Sequence, residues 1–218
     1  MLHAFVPAFT GTAVEFLETA VIAYAIARAG YVREAVSALV LGHVLVFALA
    51  VLLVPIQGVF PVTWLRLAAA LMLTAMGLHW TQKSLRRWLA HQRPRWAEDP
   101  LASVPVPPRP SSTGAGHGAA VVAFSGFMFM VMLKSSVIEA IEILIVVFPV
   151  AAATSAWGPV LLGVIGGIVA VGIAVALLHG QMRRVPEVLL KLWTGVLLLA
   201  LGLWWLTEFA LEHRGGAI

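Results

Sequence analysis

Thr12-Ala13-Val14-Glu15-Phe16-Leu17-Glu18 returns 124 positions later as Ser136-Val137-Ile138-Glu139-Ala140-Ile141-Glu142. Each copy sets a hydroxyl residue and two glutamates, three residues apart, in an otherwise apolar run. The copies belong to a longer repeat. At the same offset Gly42 matches Gly166. At an offset of 125, Pro61 matches Pro186, Arg66 matches Lys191, Gly77 matches Gly202, Leu78 matches Leu203 and Trp80 matches Trp205. A one-residue insertion in a loop accounts for the change of offset. One apolar coincidence would mean little, but two Glu-x-x-Glu pairs at matching depth are hard to attribute to chance.

The runs that hold these motifs are membrane spans by length. Six apolar stretches, Ala4–Ala29, Ala35–Pro55, Thr63–Thr81, Ala119–Val150, Pro159–His179 and Val188–Leu211, each reach the roughly 20 residues that cross about 30 Å of hydrocarbon. Gly, Pro and charged residues separate them. The chain is 61% hydrophobic and only 11% charged, too little charge to cover a water-soluble surface. Its mean hydropathy is +0.97, and its 8 Trp suit anchoring at the membrane interface. With no Cys, thiolate metal ligation and disulfides are excluded. A cleavable signal peptide is not expected, because the first apolar run lacks a basic leader and runs straight into Glu15 and Glu18.

The basic residues set an orientation. Arg28 and Arg33 fall in the first connection, Lys83, Arg86, Arg87, Arg93, Arg95 and Arg109 in the third, and Arg183 and Arg184 in the fifth. That makes 10 on one side against Arg214 alone on the other. The positive-inside rule then places the odd connections in the cytoplasm and both termini outside, in the inner (plasma) membrane. The basic charge is spread over loops, so nucleic acid is not expected as a partner. Residues 83–118 hold Pro100, Pro105, Pro107, Pro108 and Pro110 with a Ser/Thr/Gly run. They read as a solvated, partly disordered cytoplasmic linker between residues 1–82 and 119–218. Each half has three spans, an odd number, so the second half enters the membrane from the opposite face. The expected fold is an all-α integral membrane protein of six transmembrane helices, arranged as two inverted three-helix repeats with a site near the midplane.

Residues three apart on a helix lie about 60° apart and about 4.5 Å along the axis, so Glu15 and Glu18 share a face, as do Glu139 and Glu142. Thr12 and Ser136 extend those faces by a turn. An ionisable group at the centre of a span costs roughly 2.5–3.5 kcal/mol on the insertion scale, and four carboxylates brought together also repel. A divalent cation, bound protons or both would relieve this. Hard oxygen ligands favour Mg²⁺, Ca²⁺, Mn²⁺ or Fe²⁺ over Cu⁺ or Zn²⁺. When the metal leaves, desolvation and repulsion favour uptake of protons, which is a basis for exchange.

Other residues read more plainly. Lys134, five positions before Glu139, is either an internal counter-ion or gate, or a structural ion pair. His43, His79 and His179 lie in spans and suit packing or the interface better than ligation; His43 stands where the other half has Gly167. Met128, Met130 and Met132 alternate and are taken as lipid or core contacts. Arg66 and Lys191 lie near span ends and are expected to snorkel. Glu208 and Glu212 are expected to be solvated. Gly42, Gly126, Gly163, Gly166, Gly167 and Gly195 allow close helix approach.

With these motifs in hand, the sequence resembles the lysine-exporter-like superfamily of small transporters. One metal-handling branch, the manganese/calcium–proton exchangers, carries Glu-x-Gly-Asp-Lys-Thr in both halves. Glu15/Glu18 and Glu139/Glu142 match its acidic spacing; Leu17 and Ile141 stand at the Gly, Glu replaces Asp, and Thr19-Ala20 and Ile143-Leu144 replace Lys-Thr. Another, the oxidase-linked iron permeases, carries Arg-Glu-x-x-Glu, with Val14 and Ile138 here at the Arg. The chain is most similar to an uncharacterised bacterial membrane-protein group that shares both motifs and the Pro-x-x-x-Leu-Lys opening of the sixth span, here Pro186, Leu190 and Lys191. The resemblance covers all but the linker and implies cation transport.

The expected function is therefore secondary transport of a divalent metal, Mn²⁺ or Ca²⁺ first and iron second, coupled to protons. Glu15, Glu18, Glu139 and Glu142 would be the metal ligands, with Thr12, Ser136, Lys134 and His43 in support. No permanent cofactor is expected. The expected partners are the bilayer, the metal cation and protons, and a six-helix chain of this size is compatible with a homodimer. An intramembrane metallo-hydrolase would need His-Glu-x-x-His, which is absent, so an enzyme is not expected. The remaining alternatives are a membrane subunit with a proton-conducting carboxylate path, an iron permease that needs a partner oxidase, and simple helix–helix hydrogen bonding by the glutamates.

Overall fold

Where apolar side chains run unbroken for more than 20 residues, the only backbone partners in lipid are within the segment itself, so the chain is helical. The computed structural model describes residues 1–92, 124–177 and 186–215. The described residues form six helices and no strands: α1 (Leu2–Arg28), α2 (Val32–Gln57), α3 (Val62–Leu89), α4 (Gly126–Thr154), α5 (Trp157–Leu177) and α6 (Glu187–Gly215). All six are long and apolar enough to cross a membrane, which fits a multi-pass membrane protein. Most of the linker (93–118), residues 119–123, and His179, Arg183 and Arg184 lie outside the described residues.

The helix ends are set by local chemistry. After α1, Gly30 adopts φ 99°, and Gly30 and Tyr31 donate back to the carbonyls of Ala27 and Ile26. This is the left-handed stop that glycine permits, and it reverses the chain at once into α2. The same pattern ends α3, where His91 takes φ 53° and Gln92 donates to Arg87 at 2.9 Å. The third helix thus runs past Thr81, and Lys83–Leu89, expected as the start of the linker, is helical. Ser125 caps α4, its Oγ accepting from Met128 N at 3.4 Å. The fourth helix begins there and ends at Thr154, four residues past the expected Val150.

Packing follows the small residues. A Cβ on Gly77 would lie 2.3 Å from Leu199 N, and one on Gly202 2.6 Å from Thr74 N. With Gly195 against Thr81, the partner numbers fall as these rise, so α3 and α6 are antiparallel at backbone contact. Gly11 against Val146, with Ile26 and Met128 in one buried cluster, makes α1 antiparallel to α4. Gly163 faces Phe5 and Ala8, while Gly167 faces Phe9 and Ala13, so α1 and α5 are parallel. Glu34 meeting Ser125 and Leu39 meeting Ser136 make α2 parallel to α4.

Half of the most apolar stretch of α1 is buried and 44% of that of α4, against 17% for α2 and 22% for α5. The first helices of the two halves therefore form the centre, and α2 and α5 turn apolar faces outward. Val36, Val40, Val44 and Phe47 form such a face on α2, one that lipid solvates without cost. Met128 and Met132 are buried in the core while Met130 faces out, as their alternation predicts.

Candidate functional site

Glu15 is the midpoint of α1, and Glu139 lies one residue from the midpoint of α4. Because these two helices cross at the centre of the bundle, the two motifs meet. Ligand oxygens of Glu15, Glu18 and Glu139 all lie within 4.8 Å of one another. Glu15 and Thr12 are fully buried, and Glu18 nearly so. In the interior such groups need partners. Yet Thr12 Oγ1 and Glu139 Oε2 are buried with no hydrogen-bond partner.

The cation that faces these carboxylates is Lys191. Its Nζ lies 2.7 Å from Glu18 Oε1 and 3.1 Å from Glu15 Oε1. It also donates to Glu15 Oε2 at 3.4 Å and lies 3.9 Å from Glu142 Oε2. Trp80 closes the site, its ring centroid 5.1 Å from the ammonium, within cation–π range. The expectation that Lys191 snorkels is overturned: its side chain is only 9% exposed. Snorkelling wins when the stem passes apolar surface on the way to water. Here buried carboxylates lie within reach, and leaving them unpaired costs more than holding the ammonium inside.

The other sequence-predicted residues divide. Glu142 is 31% exposed and lies 3.9 Å from Lys191 Nζ; the three-carboxylate group does not include it. Ser136 is fully buried but turned away toward α2, where its Oγ donates to Leu39 O at 3.0 Å and lies 3.0 Å from His43 Nδ1. Gly42 makes room for this, since a Cβ there would overlap Ser136 Oγ. His43 is held by Leu39 O at 2.9 Å and by the edge of Phe16 at 5.3 Å, with Nε2 buried and unpartnered. Ser136 and His43 thus form a polar bridge between α2 and α4 rather than a counterpart to Thr12.

Lys134 is exposed and is not the counter-ion of the cluster. Five residues from Glu139 is about 140° around the helix, so the two face different ways. His79 is also exposed. Arg66, the repeat mate of Lys191, lies at the other end of the bundle, 4.0 Å from Glu212 and with its Nε 3.5 Å from Ala153 O. It lines a cavity of about 220 Å³ with His3, Thr154, Glu208 and Glu212. Glu208 and Glu212 are exposed, as expected.

Lys191 left a trace in the sequence: it is one of the few charges inside the apolar runs, at a position the repeat fills with base in both halves. What the sequence lacks is its partners, 176 and 173 positions away. Chemically, the site offers hard anionic oxygens at mid-span, a hydroxyl without a partner and one ammonium. That set can exchange cations or pass protons. Comparison with known proteins finds no matching family model, no matching curated protein and no matching solved structure.

Proposed function

We propose that this chain is a secondary transporter of a divalent metal cation, Mn²⁺ or Ca²⁺ first and iron second, coupled to protons through a midplane carboxylate site. The observation that carries this reading is the meeting of Glu15, Glu18 and Glu139, from the first helix of each half, within 4.8 Å. Repulsion among buried carboxylates makes the cluster a sink for positive charge. The unpartnered Thr12 Oγ1 and Glu139 Oε2 are oxygens with capacity for a further ligand.

The inverted-repeat architecture is part of the proposal, and the helix pairs support it. Exchanging α1 with α4, α2 with α5 and α3 with α6 turns the α1–α5 pair into α4–α2, and α3–α4 into α6–α1; all four pairs are in contact. Gly77 on Leu199 and Gly202 on Thr74 exchange under the offset of 125. Because α3 and α6 are antiparallel, the axis relating them lies across the helices, in the membrane plane. Arg28, Arg33, Arg86 and Arg87 gather at one end of the bundle. That supports a cytoplasmic assignment of that end and exterior termini, in the inner membrane.

The test is flux in proteoliposomes, scanning Mn²⁺, Ca²⁺, Fe²⁺, Mg²⁺ and Zn²⁺ under an imposed pH gradient. Wild-type flux of one metal, lost in both Glu15→Gln and Glu139→Gln, is the expected result. A second reading, a proton-conducting membrane subunit, is favoured by Lys191 within the carboxylates, since alternating acid and ammonium groups can pass protons. It predicts proton movement without metal, and metal flux in no condition.

A further inference from the structure

We propose that the Lys191 ammonium is the site's own tethered cation, which seals the carboxylates when no metal is bound and must withdraw before a metal enters. This rests on the metal-transport reading above and goes beyond it in naming how the site is held between substrates and how it selects charge.

The argument begins with distances. A metal bound by Glu15 and Glu18 would need their oxygens at about 2.0–2.6 Å. Nζ of Lys191 already contacts Glu18 Oε1 at 2.7 Å and Glu15 Oε1 at 3.1 Å. Ammonium and metal draw on the same oxygens, and two cations packed that closely repel. Occupancy is therefore exclusive. The ammonium is also built in rather than passing by: it is stacked against Trp80, and Trp80 is buried against the glycine-packed α3–α6 pair.

Tethering decides which ions compete. A side chain fixed beside its partners acts at a high effective concentration. A free monovalent cation offers the carboxylates the same single charge without that advantage, and so does not displace it. A divalent ion offers twice the charge and can also take Glu139, whose Oε2 has no hydrogen-bond partner. Lys191 thus works as a charge filter, admitting divalent over monovalent cations. It also offsets part of the carboxylates' charge between transport events, when bare anions at mid-span would be costly.

The experiment uses the full-length protein in nanodiscs. Mn²⁺ binding is measured by calorimetry for wild type, Lys191→Met and Lys83→Met, the last an exposed lysine on α3 serving as control. Lys191→Met is expected to bind Mn²⁺ at least tenfold more tightly and to become sensitive to 150 mM Na⁺ (a concentration chosen as about physiological ionic strength), while Lys83→Met matches wild type. Unchanged or weaker Mn²⁺ binding by Lys191→Met overturns the inference and leaves the metal site standing. No binding by wild type or Lys191→Met removes the metal reading and this inference with it. If Lys191→Met does not fold, the wild type carries the test. Acylation of Lys191 by a water-soluble amine reagent, read by peptide mass spectrometry, should rise several-fold on adding Mn²⁺ while Lys83 stays constant. Labelling that Mn²⁺ slows or leaves alone overturns the inference.

Discussion

Lys191 and Arg66 occupy equivalent places in the two halves of the sequence, 125 positions apart, and have opposite fates. Lys191 is buried among three glutamates near the start of α6. Arg66, equally near the start of α3, is more than half exposed, with its polar contacts to Ala153 O and Glu212 at the rim. The helices that carry them are packed together at backbone contact with matched glycines, so the difference does not lie in that pair. It lies in what each side chain reaches: Lys191 reaches the α1 carboxylates, while Arg66 reaches the end of α4 at Ala153 and Glu212 of α6. Two basic residues at matching sequence positions thus end in different settings, one inside a buried ion-paired cluster and the other lining a cavity at the rim. Under the proposed function, a basic group that engages the site from one side and not from the other is an asymmetry that alternating access can use.

Substitutions can sharpen or break that comparison. The largest effect is expected at Lys191. Lys191→Ala leaves Glu15 and Glu18 buried without their cation and should cost about 3–5 kcal/mol, measured by reversible unfolding in mixed micelles, with Mn²⁺ recovering much of the loss. A cost equal to that of Arg66→Ala would show that the two basic residues are equivalent after all. Next come the glycines. Gly77→Ala and Gly202→Ala each place a Cβ on backbone atoms of the facing helix and should cost about 1–3 kcal/mol, by similar amounts if the two positions are related by the repeat; a clear inequality would argue against that relation. Ser136→Ala should cost about 1 kcal/mol through its bonds to Leu39 and His43. Thr12→Val removes a buried hydroxyl without a partner, so it should leave stability unchanged or slightly higher while weakening Mn²⁺ binding. If Thr12→Val binds metal normally, Thr12 is not a ligand. Smallest is Arg66→Ala, below about 1 kcal/mol as an exposed pair, with any effect confined to low ionic strength, where the pair is unscreened.

Much of this arrangement was legible before the structure, for identifiable reasons. Spans announce themselves because lipid leaves the backbone no alternative to a helix, and the two acidic motifs stand out because carboxylates are rare there. The end of α3 was not legible. Lys83, Arg86 and Arg87 resemble the loop that follows, but helix propensity and the stop at His91 carry the helix on to Leu89. Lys134 drew attention by nearness in sequence, where helical angle sets it apart. The role of Lys191 depended on contacts more than 170 positions away, which no local pattern encodes. Ser136 matched Thr12 by position, yet Gly42 and His43 offered it closer partners. Symmetry of sequence predicted where groups stand and could not predict which way each turned.

The glycines along the α3–α6 seam have a consequence at the level of the gene. Every glycine codon, whatever single base is changed, either stays silent, becomes a stop, or yields a residue with a Cβ. At Gly77, Gly195 and Gly202 that atom would lie within 2.8 Å of an atom of the partner helix. No one-step missense change at these three codons is sterically mild, whereas Gly126, Gly158 and Gly172, with open space beside them, tolerate small replacements. A saturation library selected for insertion and folding should therefore be depleted of missense variants at the three seam codons, the larger side chains most, while retaining alanine and serine at the other three.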